Sequence, residues 1–178
     1  KIFRSKNFTT INVKKNLIIE LIPSLGYQKH IGIKRILDHL ILSFNLYRFL
    51  KKRKDFTPDR IFLGYPPIET SFIMIRWANK LGIPIMLDVK DNWPENFIEP
   101  FPNSIKILVR LLIYPYFKLS KYTFNKADSI TSITDSFLNW IKLFLKKRNL
   151  FFQNSENKFF ASPLVRKKIK ISKINNQI

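Results

Sequence analysis

The spacing of apolar residues changes along this chain in a way that separates short strands from amphipathic helices. Asn16 to Leu21 is a short, mostly apolar run, and Ile22-Pro23-Ser24-Leu25-Gly26 closes it as a loop. From Ile33 the period lengthens. Ile33, Leu37, Leu40, Phe44 and Tyr47 fall on one helical face, with Lys34, Asp38, Asn45, Arg48 and Lys52 elsewhere. The spacing predicts a helix ending near Lys54, with basic residues in its last turn complementing the dipole. Thr57-Pro58-Asp59 then leads into a second strand, Arg60 to Gly64, which Tyr65-Pro66-Pro67 breaks. A helix from Ile68 to Leu81 follows, with Pro67 at its start and Glu69 in its first turn.

Gly82 suits a left-handed helix cap, and Pro84 opens a strand but does not continue a helix. Ile85-Met86-Leu87 is continuously apolar, as in a parallel strand covered on both faces. Asp88, Lys90 and Asp91 stand at its C-terminal end, where open α/β sheets bind ligands. Asp88 to Ser104 reads as one long loop, a length that points to function in a compact domain. Ile105 to Ala127 reads as a mostly apolar helix bent or split at Pro115. The strand Asp128 to Ile133 comes next. Thr134 or Asp135 caps a helix with Phe137, Trp140, Ile141, Phe144 and Leu145 on one face. Phe159-Phe160 starts one more strand. The alternation of strands and helices implies a parallel sheet with right-handed crossovers and helices on both faces, a Rossmann-like α/β domain over residues 1–165. Residues 166–178 read as a basic tail or the start of a linker.

Composition narrows the classes. A chain of 178 residues with 46% hydrophobic content builds one domain with a sizeable core and is too apolar for disorder. The absence of cysteine excludes disulfides, thiolate zinc sites and Cys nucleophiles, and agrees with a reducing compartment. Two histidines, His30 and His39, argue against a multi-His metal site. The net charge of +20 admits three explanations: nucleic acid, an anionic membrane surface, or biased composition, since Lys, Ile, Asn and Phe are abundant. The cations are scattered, with small clusters at 51–54, 146–148 and 166–168, which is a weak footprint for nucleic acid. Apolar runs are interrupted by charges such as Lys106 and Arg110, short of a membrane span, and no signal peptide is visible. The expected protein is soluble or peripheral.

The segment Asp88-Val89-Lys90-Asp91-Asn92-Trp93-Pro94-Glu95 resembles the R-D-x-W-P-E-like signature of a bacterial branch of family 4 glycosyltransferases with the GT-B fold. Residues 59–69, with their Tyr-Pro-Pro turn, are similar to the strand before that signature. Ala127 to Asp135 is similar to the family's A-D-x-I-x-x-x-S-E segment, and Gly26 to His30 to its acceptor-side loop. The matches keep their order from about residue 16 to about residue 165. The resemblance implies the acceptor-side half of an enzyme that moves a sugar, with retention, from a nucleotide sugar to a glycan or lipid-linked glycan in cell-surface polysaccharide synthesis. It further implies a cytoplasmic protein, peripheral at the inner face of the plasma membrane. The family's opening strand and Gly-rich loop are not seen ahead of Lys1, nor the donor-holding domain after Ile178, so the chain is expected to be an inactive fragment. No cofactor or metal is expected, the nucleotide sugar being a substrate held mainly by the second domain.

Under this resemblance Lys90 and Asp91 are the candidate catalytic residues. Lys90 sits where the branch carries Arg, and a cation there would stabilise the leaving diphosphate. Tyr65, Glu69, Asp88, Trp93 and Glu95 are the candidate substrate-binding residues. Each has a plainer alternative. Asp88 and Asp91 are spaced as D-x-x-D, and such pairs commonly cap or brace loops rather than hold metal. Trp93 is either a stacking platform for a sugar ring or a core plug anchoring the loop. Glu69 also serves as a helix N-terminal carboxylate, and Lys90 as a solvated lysine. His39 reads as a packing or surface residue, and His30 as a loop residue near an anionic acceptor. The stretch 105–127, with Lys106, Arg110, Lys118 and Lys121, suits either burial against the sheet or contact with anionic lipid. The rival reading is a non-catalytic basic α/β module binding nucleic acid or membrane. It accounts for the charge but leaves both Pro-containing motifs without a reason. Nucleic acid is not expected as a partner of the transferase.

Overall fold

The computed structural model describes residues 6–26, 33–53, 56–145 and 159–161. The elements in chain order are β1 (Thr9–Lys14), β2 (Leu17–Leu21), α1 (Ile33–Lys52), β3 (Ile61–Tyr65), α2 (Ile68–Leu81), β4 (Ile85–Val89), α3 (Asn103–Leu112), α4 (Tyr114–Lys126), β5 (Ser129–Ser132), α5 (Asp135–Lys142) and β6 (Phe159–Ala161). A single 3-10 turn, Glu95–Phe97, interrupts the stretch between β4 and α3. His30, most of the 26–30 segment, and the 166–178 tail lie outside the described residues.

β3, β4, β5 and β6 form a parallel sheet in that order, flanked by helices. This is an α/β fold of Rossmann-like type. β2 departs from the expected pattern. It pairs antiparallel with β1 in a separate hairpin and does not join the sheet. β1 alternates apolar and polar residues only over Ile11 to Lys14, and all six of its residues are exposed.

The helices are also arranged differently from the expectation of two covered faces. The strands follow one another across the sheet without reversal, so right-handed crossovers put α2, α4 and α5 on the same side. α2 packs on both α1 and α4, and Phe124 of α4 meets Trp140 and Phe144 at the end of α5, which makes one continuous helical layer. Burial alternates accordingly. Ile85, Leu87 and Val89 are buried, whereas Met86 and Asp88 are half-buried and Phe62 of β3 is exposed.

Local chemistry sets the boundaries. β4 runs through Asp88 to Val89, two residues beyond the strand expected, because both residues pair with β3 and β5. Asp128 starts β5 by accepting the Ile85 N–H on its carboxylate at 2.8 Å, while its own N–H donates to the Ile85 carbonyl at 3.0 Å. The long helix divides at Ile113, with Pro115 in the first turn of α4, where a missing N–H costs nothing. Thr134, rather than Asp135, is the cap of α5, accepting from the Phe137 N–H at 3.3 Å.

Gly82 ends α2 in the left-handed conformation, with φ of 70°. No atom lies within 4 Å of where a Cβ would stand, so Gly82→Ala meets only backbone strain. That substitution should lower the unfolding free energy by about 1 kcal/mol, measured by urea denaturation. No loss would mean that the cap does not need a left-handed residue.

Candidate functional site

The C-terminal ends of β3, β4 and β5 lie side by side, with Tyr65 opposite Val89 and Val89 opposite Ser132. Beyond β3 the chain enters Tyr65-Pro66-Pro67, with both X-Pro bonds cis, and α2 begins at once. Beyond β4 it enters Lys90 to Glu95, with a third cis bond at Trp93-Pro94. The two turns are locked together. The buried Tyr65 hydroxyl donates toward the Trp93 carbonyl at 2.6 Å and lies 2.8 Å from the Ser120 hydroxyl of α4. Ser120 in turn donates to the Tyr116 carbonyl at 2.8 Å. Burial raises the Tyr65 pKa far above the ordinary phenol range, with Ser120 opposing the shift and nearby carboxylates adding to it. Tyr65 is therefore a neutral donor.

Asp91 holds the turn after β4. Its carboxylate accepts from the Asn92 N–H at 3.0 Å, from the Trp93 indole N–H at 2.9 Å, and from the Asn96 amide. Three donors on one short segment make Asp91 a brace for its own loop. Trp93 is 4% exposed, with Phe97 edge-on at 4.3 Å and the Arg35 guanidinium 4.2 Å above its ring. In this arrangement the indole anchors the loop in the core and its faces are taken.

Glu69 is buried in the first turn of α2, where it accepts from the Tyr116 hydroxyl at 2.8 Å. Its other oxygen faces His39 Nδ1 at 3.6 Å, an ion-pair distance. Burial, and the Glu69 carboxylate beside it, raise the Tyr116 pKa. His39 is buried as well, 6.0 Å from the Trp93 ring. The sequence pattern places His39 on a helix and carries no signal for Tyr116 or Arg35. Only α1 and α4 packing on α2 and Trp93 reveals the cluster.

The solvent-facing part of the site is smaller. Lys90 is 62% exposed and lies 3.4 Å from the Asp88 carboxylate, whose other oxygen accepts from Thr131 at 3.0 Å. Asp88 is therefore oriented by Thr131 of the neighbouring strand β5 and by Lys90 just beyond its own strand. Glu95 lies 3.9 Å from the exposed Arg110 guanidinium of α3. Of the predicted residues, Asp88, Lys90 and Asp91 thus gather at the open rim, and Glu95 borders α3. Tyr65, Glu69 and Trp93 form the buried wall behind. Among the described residues, no group of three or more His, Asp or Glu side chains could hold a metal ion. A cavity of about 760 Å³ lies elsewhere, between the C-terminal halves of α1 and α2, bordered by Tyr47, Phe72 and Trp77 with Lys51, Arg76 and Lys80. Lys51 and Lys80 stand in the last turns of their helices, where they complement the dipoles.

Asp91→Ala should cost about 1–3 kcal/mol of stability, the loss expected when half-buried donors lose a charged acceptor. Asp91→Asn should recover only part, because its amide puts a donor where one of the N–H groups points. Urea midpoints measure both, and an unchanged midpoint for Asp91→Ala would remove its bracing role. Glu95 gives a pH test. Burial raises its pKa, with the Trp140 indole N–H, which stops short of a hydrogen bond, and Arg110 partly offsetting the shift. A raised folded-state pKa means that stability is highest below the ordinary value of 4.5 and falls as pH rises through the folded value. Glu95→Gln should therefore melt a few degrees higher than the parent at neutral pH, with the difference vanishing below pH 4.5. A constant difference across that range would assign the effect to packing.

Comparison with protein-family models and with curated proteins finds none that matches this chain.

Proposed function

We propose that the chain is the acceptor-side domain of a retaining GT-B glycosyltransferase of the family 4 type, acting on a glycan or lipid-linked glycan. One observation carries the reading. Two of the motifs that carry the resemblance, Tyr65-Pro66-Pro67 and Lys90 to Glu95, are bonded to each other at the sheet's C-terminal edge, the position where α/β sheets bind ligands. The non-catalytic alternative offers no reason for that joint.

In this reading Lys90 is the reacting-side cation. Its ammonium, oriented by Asp88, faces the developing charge on the leaving diphosphate and stabilises it electrostatically. Asp91 contributes as a positioning residue, holding the loop that places Lys90. Glu95 and the rim beside Asp88 meet the acceptor. Tyr65, Glu69 and Trp93 keep the wall behind them rigid and dry. The nucleotide sugar is held mainly by a second domain, as the resemblance implies, and no metal is needed. No helix among the described residues is long and apolar enough to cross a membrane. The proposal places the enzyme in the cytoplasm, at the inner face of the plasma membrane, where a lipid-linked acceptor would be met.

Two measurements test this. The 178-residue chain alone, offered a panel of nucleotide sugars, should release no nucleotide, and turnover would overturn the division of labour between domains. In a transferase carrying this domain together with its donor-binding partner, Lys90→Ala should lower the transfer rate roughly a hundredfold, with Lys90→Arg retaining most activity. Because Lys90 is largely exposed, the melting temperature should not change. Full activity in Lys90→Ala would remove it from the chemistry. Tight, steeply salt-dependent binding of generic duplex DNA by the chain would favour the basic module instead.

A further inference from the structure

α3 is turned the wrong way for a helix that builds a core. Lys106, Val109 and Ile113, at its C-terminal boundary, form its half-buried side, while the side facing away from the domain is aliphatic. Ile107 is 75% exposed, Leu108 59%, Leu111 67% and Leu112 72%, and no residue of α3 is buried. The exposed row continues into α4 through Tyr114, Lys118 and Lys121, with the Lys118 ammonium 4.9 Å from the Tyr114 ring. An aliphatic patch thus passes through an aromatic residue to a pair of cations. That is the order of groups met on crossing from acyl chains through the headgroup boundary to phosphates.

We propose that this face docks on an anionic bilayer. Ile107, Leu108, Leu111 and Leu112 enter the acyl boundary, Tyr114 lies at the headgroup level, and Lys118 and Lys121 meet the lipid phosphates. Charge complementarity selects the occupant. The chain carries +20, and Lys118 and Lys121 are exposed on the helix that directly follows the apolar patch. α3 is ten residues long, so it lies along the surface and does not span it. α4 links this surface to the candidate site, since its Tyr116 and Ser120 bond to Glu69 and lie beside Tyr65. Arg110 links α3 to the same loop through Glu95. The inference deepens the acceptor-side reading by naming the surface on which a lipid-linked acceptor is reached. The binding itself is independent of sugar transfer.

The test is co-sedimentation of the purified chain with vesicles. It should bind equal mixtures of phosphatidylglycerol and phosphatidylcholine at low salt, and phosphatidylcholine alone at least tenfold more weakly. Ile107→Ser combined with Leu111→Ser should lose at least tenfold. Lys118→Gln and Lys121→Gln should each lose about fivefold, the worth of one cation near such a surface. Phe44→Ser, which removes an equally exposed aromatic from α1, should leave binding unchanged. Leu111→Trp adds a reading from the intact surface. Its added fluorescence should shift blue on vesicles and be quenched by bromine on the upper acyl carbons, while circular dichroism reports the fold. Unchanged binding in the Ile107/Leu111 variant overturns the proposal, as does equal loss in Phe44→Ser. Self-association without vesicles, abolished by the same double change, assigns the face to a second copy and also overturns it. Vesicle binding that survives while transfer to a soluble acceptor is never found separates this inference from the enzymatic reading.

Discussion

The hydrogen bond from the Tyr65 hydroxyl to the Trp93 carbonyl is the joint on which the ligand edge of this sheet depends. It ties the end of β3 to the loop after β4, across 28 residues of sequence. Both groups are buried, so neither finds water if the bond opens, and an unpaired phenol or carbonyl there costs about 1–3 kcal/mol. The joint also sets what can surround it. Trp93 must lie under the loop for its carbonyl to reach Tyr65, and its indole N–H then falls within reach of Asp91. Ser120 and Tyr116 bring α4 against the same point, and Tyr116 meets Glu69 at the start of α2. A buried polar chain of this kind works because almost every member has a partner.

This joint divides the candidate residues by what they can do. Tyr65, Glu69 and Trp93 are engaged inward, and Asp91 spends its carboxylate on its own loop. Lys90 keeps an exposed ammonium beside the Asp88 carboxylate, and so can meet an incoming anion. The rigid wall and the exposed cation are complementary. A charge placed on a stable loop stabilises developing negative charge without first reorganising its surroundings.

The distribution of apolar surface follows from the strand order. Because β3 to β6 run in one direction, the crossovers share a face, and the core forms between that face and the layer of α1, α2, α4 and α5. α3 stands outside that layer. Its aliphatic residues would have joined the core had the helix been rotated by half a turn, but Val109 and Ile113 occupy the inward positions and Arg110 reaches Glu95. Amphipathicity is therefore present in α3, and its direction is what gives the helix a use at the surface.

The chain's local chemistry was enough to determine much of the fold. α2 begins and ends at the expected residues because Pro67 and Gly82 act on their own backbone neighbours. The break near Pro115 and the Thr134 cap are legible for the same reason, since each depends on contacts within about one helical turn. Tertiary structure alone decided that β2 pairs with β1, that the helices share one face, and that α3 turns its aliphatic side outward. It also decided the site. The motifs announced Asp91, Trp93 and Glu69 as chemically important. Asp91 finds its partners on its own loop, whereas Glu69 and Trp93 find Tyr116, His39 and Tyr65 tens of residues away. Nothing in local periodicity specifies the Glu69–Tyr116 bond across 47 positions or the Tyr65–Ser120 bond across 55. Period and capping are properties of a segment, whereas the direction in which a buried polar group finds its partner is a property of the packed layers.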